Sequence, residues 1–156
     1  MTSPIVARRR IIGAAALGAA TLVFPRWITP GWISAGRAAT PAPKEVLLYF
    51  IYPRDGAKVK GAFWCRFGLR GMGVTHAGDS FPNSGHHHLL VDVVQPLDLN
   101  DAIPADKTHL HFGAGQTEAR IELPPGRHTL QLVLGDANHI PFDPPVMSRK
   151  ITVTIV

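Results

Sequence analysis

Asn83-Ser84-Gly85-His86-His87-His88-Leu89-Leu90-Val91-Asp92 joins three consecutive imidazoles to a short apolar run. Leu89, Leu90 and Val91 read as the start of a buried strand, so the histidines stand at the mouth of a sheet. Successive strand side chains point to opposite faces; His86 and His88 therefore share one face and His87 takes the other. All 8 histidines lie between His76 and His139, and His109 and His111 repeat the alternating spacing on a second predicted strand.

Outward from this stretch the chain keeps the same character. Val46 to Tyr52 reads as a first strand, apolar on both faces, closed by the turn Pro53-Arg54-Asp55-Gly56. Phe63, Cys65 and Phe67 alternate onto one face of the next strand, and His128, Leu130, Leu132 and Leu134 onto one face of a later one. Ile151, Val153 and Ile155 alternate with Lys150, Thr152 and Thr154 at the end of the chain. Between these runs, Gly, Pro and Asp clusters break regular structure, and beyond the N-terminal segment no window holds a helical period. The pattern predicts an all-β fold, an antiparallel immunoglobulin-like β-sandwich of about seven short strands. Its expected core is Leu48, Phe50, Phe63, Phe67, Leu90, Leu110, Ile121, Leu130, Leu132, Ile151 and Val153.

The N-terminus differs in composition. Arg8-Arg9-Arg10 precedes an apolar run from Ile11 to Phe24, shorter than the ~20 residues that span a bilayer and within the range of a signal sequence. Arg8-Arg9 followed by Arg10, Ile11 and Ile12 is twin-arginine-like, with Ala7 where Ser or Thr is usual. Twin-arginine and general export both stand as readings, with cleavage expected after Ala38 or Ala39. An uncut anchor with Trp27 and Trp32 at the membrane interface is the alternative. Residues 1–39 are thus assigned as signal and tail, 40–45 as linker and 46–156 as the β domain, expected in the periplasm or secreted.

The net charge of +5 belongs to that leader. Arg8, Arg9, Arg10, Arg26 and Arg37 supply the excess, and the eleven other Lys and Arg face eleven Asp and Glu. A neutral domain has no electrostatic footprint for nucleic acid. Cys65 is the only cysteine, which excludes an intrachain disulfide and leaves stability to the apolar core.

Several segments together carry a family resemblance: Gly85 to Asp92, His111-Phe112-Gly113, Leu123 through His139, and Pro144-Pro145-Val146. They resemble the bacterial domain-of-unknown-function family 4399 over roughly Val46 to the C-terminus. The resemblance implies an exported single-domain β protein and brings no activity with it.

Function therefore rests on the histidines. His86 with His88 and His109 with His111 are same-face pairs, and two such pairs facing each other can enclose one ion. His139, on the loop Asp136-Ala137-Asn138-His139, offers a further ligand, with Asp136 and Asn138 as its supporting hydrogen-bonding residues. Neutral imidazole suits copper or zinc. The competing reading is a hydrogen-bond network without metal, in a structural module whose partner is an unidentified protein. A small-molecule or glycan surface is a third. No catalytic residue is assigned: Cys65 lacks the neighbouring His and Met of a blue-copper loop, and Ser84 lacks an opposed base and an oxyanion hole.

Overall fold

The computed structural model describes residues 39–156. The assigned signal, apart from Ala39, lies outside the described residues. Nine strands and no helix make up the described chain: β1 (Leu47–Tyr52), β2 (Ala57–Val59), β3 (Phe63–Arg70), β4 (Gly73–Val74), β5 (Ser84–Val91), β6 (His109–Phe112), β7 (Glu118–Ile121), β8 (Gly126–Gly135) and β9 (Ile151–Ile155). The all-β expectation is borne out. Two details are corrected: the strands number nine, and the pairing is mixed, since β2 runs parallel to β9 and β4 parallel to β5.

A three-stranded sheet has the order β1-β3-β7, and a six-stranded sheet the order β2-β9-β8-β5-β4 with β6 also paired to β5. One apolar cluster unites the two. Leu48, Phe63, Cys65, Phe67 and Ile121 come from the smaller sheet, and Leu89, Val91, Phe112, Leu130, Leu132, Leu134, Val153 and Ile155 from the larger. The alternation read in β3, β8 and β9 is the alternation that fills this core. In β1 the expectation of burial on both faces fails: Leu48 is buried, whereas Leu47, Tyr49 and Ile51 are exposed. β1 is the edge strand of the smaller sheet, and only its Leu48 face is turned to the core.

β5 is the centre of the larger sheet and is buried from Gly85 to Val91. Its inner face carries His87, Leu89 and Val91. Its outer face carries His86, His88 and Leu90, and Leu90 joins Ile103 and Val133 in a second cluster flanked by Val93, Leu97 and Met147. The 93–104 loop thus roofs the outer face, which keeps histidines on both faces away from water. At the N-terminal end, Thr40 to Ala42 lies beside Asp143: Ala42 N–H donates to the Asp143 carbonyl at 2.8 Å, and Asp143 N–H to the Thr40 carbonyl at 2.9 Å. Among the described residues no helix is long and apolar enough to cross a membrane.

Candidate metal centre

The strand register brings the histidines together. β6 lies antiparallel to β5 with His111 opposite His88 and His109 opposite Leu90. On the other side β8 sets Gly135 opposite His86 and Val133 opposite His88. His139 arrives from the loop after β8, at φ 68, a left-handed conformation unusual for a side chain with a Cβ. His86, His111 and His139 hold ring nitrogens within 4.8 Å of one another, close enough to hold a metal ion. His88 stands beside this trio, with its Nε2 3.1 Å from His86 Nε2, but is not one of the three whose ring nitrogens all lie within that limit.

Four of the five histidines expected at the site therefore meet. His109 is not brought in. Asp106 accepts from the His109 backbone N–H at 2.9 Å, and the His109 ring Nδ1 lies 3.0 Å from the same oxygen. The two pairs do not face each other squarely, because the register is offset by one same-face position.

Asp136 supports the site by a different route from the one the sequence suggested. Its Oδ1 accepts the backbone N–H groups of Asn138 at 2.8 Å and Ile140 at 3.0 Å, and its Oδ2 accepts the Thr40 hydroxyl at 2.6 Å. His139 N–H donates to the Asp136 carbonyl, and Ile103 N–H to the His139 carbonyl. Asp136 thus fixes the backbone that carries His139, with Asn138 contributing its N–H. Such over-determination is what a residue at positive φ requires.

Two glycines make room for the rings, and sequence reading took both only as turn or break residues. A methyl group on Gly135 would stand 2.9 Å from His88 Nε2 and 3.4 Å from His139 Cα. One on Gly113 would run into the ring of His111. The available signal was a glycine inside or just beyond a strand, which often marks a close approach. Gly135→Ala is expected to lower stability by about 1–3 kcal/mol through overpacking. Denaturant titration reads that loss, and the histidine ring resonances should shift with it.

Burial sets the protonation of the cluster. His86 and His88 have no exposed surface. Burial, with the neighbouring imidazoles adding to it, lowers His86 to about 4 and His88 to about 3. His111, at the exposed mouth, is also lowered, by partial burial and by His139. Imidazoles held neutral in this way keep the lone pairs that a metal needs. The Nδ1 atoms of His86 and His88 are buried without a protein partner.

The other histidines are accounted for elsewhere. His87 packs 5.2 Å from the Phe67 ring in the core, its Nδ1 lies 3.1 Å from the Gln116 carbonyl, and its Nε2 is buried without a partner among the described residues. The two ring nitrogens of His128 lie 2.7 Å from Asp92 Oδ2 and 2.9 Å from the Pro124 carbonyl, two acceptors that favour its protonated form. Its pKa is raised, first by the Asp92 bond. His76 is an exposed loop residue whose Nδ1 lies 3.4 Å from Asp79.

No curated protein matches the chain. An X-ray structure of the endo-β-1,4-mannanase from Thermotoga petrophila is similar at 17% identity and a TM-score of 0.43, over 72% of this chain and 20% of that one. A likeness of that extent transfers no activity. The family model for Domain of unknown function (DUF4399) matches residues 65–156, a span that contains β5, β6, β8 and all four clustered histidines. The chain belongs to the DUF4399 family.

Proposed function

We propose that this chain is an exported, non-enzymatic β-sandwich domain that binds a divalent transition metal, zinc or copper, through His86, His88, His111 and His139. The Arg8 to Phe24 leader supports export. The two sheets over one shared core support an immunoglobulin-like sandwich.

The observation that carries the metal assignment is the convergence of the His86, His111 and His139 ring nitrogens within 4.8 Å of one another, and the balance of partners around the buried rings agrees with it. One ring-to-ring hydrogen bond, between His88 and His86, joins the two fully buried rings, and the Nδ1 atom of each has no protein partner. A network without metal gains about 0.5–1.5 kcal/mol from that bond and loses about 1–3 kcal/mol for each buried polar atom left unsatisfied. Hydrogen bonding alone does not offset the burial. Ligation of structural zinc contributes about 10–16 kcal/mol in small domains, enough to outweigh both unpaired nitrogens.

The test is a competition titration of the full chain with Zn²⁺ and with Cu²⁺ against a coloured chelator at pH 7. One tightly bound ion per chain is expected. Failure to compete for either ion would leave the hydrogen-bond network as the better account.

A further inference from the structure

Resting on metal binding at the cluster, we propose that the four rings form a tetrahedral, all-imidazole site for an ion with a filled d shell, Zn²⁺ or Cu⁺. The separations of the rings carry the geometry. A nitrogen bound at about 2.0–2.1 Å places its ring centre about 3.2 Å from the ion, so four tetrahedral rings lie about 5.2 Å apart in every pair. Four rings in a plane would lie about 4.5 Å apart as neighbours and about 6.4 Å apart across the ion, at the same bond length.

Five of the six observed separations lie within about 0.4 Å of the first pattern, and the sixth, His88–His139, falls midway between the tetrahedral spacing and the distance across a plane. The six are 4.9 Å for His86–His88, 5.0 Å for His86–His111, 4.9 Å for His86–His139, 5.0 Å for His88–His111, 5.8 Å for His88–His139 and 4.8 Å for His111–His139. No pair reaches the distance across a planar centre. The 3.1 Å between His86 and His88 Nε2 also fits; ligand nitrogens of a tetrahedron stand about 3.3 Å apart. The 4.8 Å limit holds among His86, His111 and His139 and does not extend to His88, so the two rings at the mouth close onto the ion together with a small shift of His88.

The donor set and the backbone select the ion. A filled d shell imposes no geometry, whereas Cu²⁺ takes tetragonal sites. Flattening the cluster with His86 and His88 as neighbours would require His86 and His111, 5.0 Å apart, to move to about 6.4 Å across the ion, and His86 is fixed on the buried central strand. Imidazole donors suit Zn²⁺ and copper, and Cu⁺ shares the filled d shell of Zn²⁺. The buried Asp136 is the anion whose field reaches His86.

Cobalt(II) is the probe, because tetrahedral Co²⁺ absorbs strongly in the visible and six-coordinate Co²⁺ weakly. One equivalent added to the full chain, stripped of metal beforehand, should give the intense bands. His111→Ala, a change at an exposed position, should weaken Co²⁺ binding at least about tenfold and shift the bands without abolishing them, because water takes the open position of a three-histidine site, and His88→Gln should do the same. One equivalent of Zn²⁺ in air, or of Cu⁺ under anaerobic reducing conditions, should bleach the bands. Weak bands with one Co²⁺ bound would overturn the tetrahedral site, as would bands whose position and affinity neither substitution changes. If none of Co²⁺, Zn²⁺ and Cu⁺ binds, the metal assignment itself falls.

Discussion

Removing His88 and His111 together is expected to abolish stoichiometric metal binding and to leave the β fold in place. The two rings face each other across the β5–β6 ladder, and their loss takes half of the donor set from one side of the cluster. Affinity should fall by at least about a thousandfold, which corresponds to about 4 kcal/mol. His111 is exposed, so its removal costs the fold little. His88 is fully buried, and its removal opens a cavity. His139→Gly supplies a control on that point. At φ 68 glycine relieves backbone strain, so this variant should be as stable as the parent or more so and still lose affinity. Circular dichroism with zinc competition reads both quantities, and unchanged affinity in the double variant would remove these residues from the site.

The metal-free chain is expected to unfold in mild acid. His86 and His87 sit at about 4 and His88 at about 3, against an ordinary value of 6.5, with burial the largest cause for each. A folded-state pKa below the unfolded one means that the unfolded chain takes up protons first as pH falls. The stability is complete above pH 6.5 and is lost as pH drops towards 4. At about 1.4 kcal/mol per unit, His86 and His87 each contribute about 3 kcal/mol and His88 about 5. The His88 shift already includes the charge of His86, so the terms do not simply add, but any one of them is a large part of the stability of a typical domain. His128 runs the other way: its raised pKa gives stability that is present below 6.5 and lost as pH rises through the folded value. One such partly exposed pair does not offset three buried rings. The unfolding midpoint should therefore fall between pH 4 and 6, within the interval those values span. His87→Leu, in the apolar core and outside the cluster, should move it to lower pH. An acid transition indifferent to His87→Leu would contradict this account.

What the sequence made legible was parity. Alternation in β3, β8 and β9 placed the core, and the His86-His87-His88 run divided its rings between two faces because strand geometry leaves no other choice. Register was not legible: it depends on how β5, β6 and β8 are aligned, and a same-face offset set His111 beside His88 and His109 beside Leu90. Asp106 then held His109 through a local turn, a competition that the Asp106-Lys107-Thr108-His109 spacing contains but does not decide. The contribution of Thr40 depends on a contact ninety-six residues away in sequence, which no local pattern encodes. Gly113 and Gly135 were visible as glycines, but the rings they accommodate become evident only once the strands are paired.

The most direct test is the metal content of the full chain purified from its own host without chelator or added metal. About one zinc or copper per chain, absent from the His88→Ala, His111→Ala double variant, is the expected result. A metal-free chain that also takes up neither ion on addition would contradict the metal centre and leave the four histidines as structural residues.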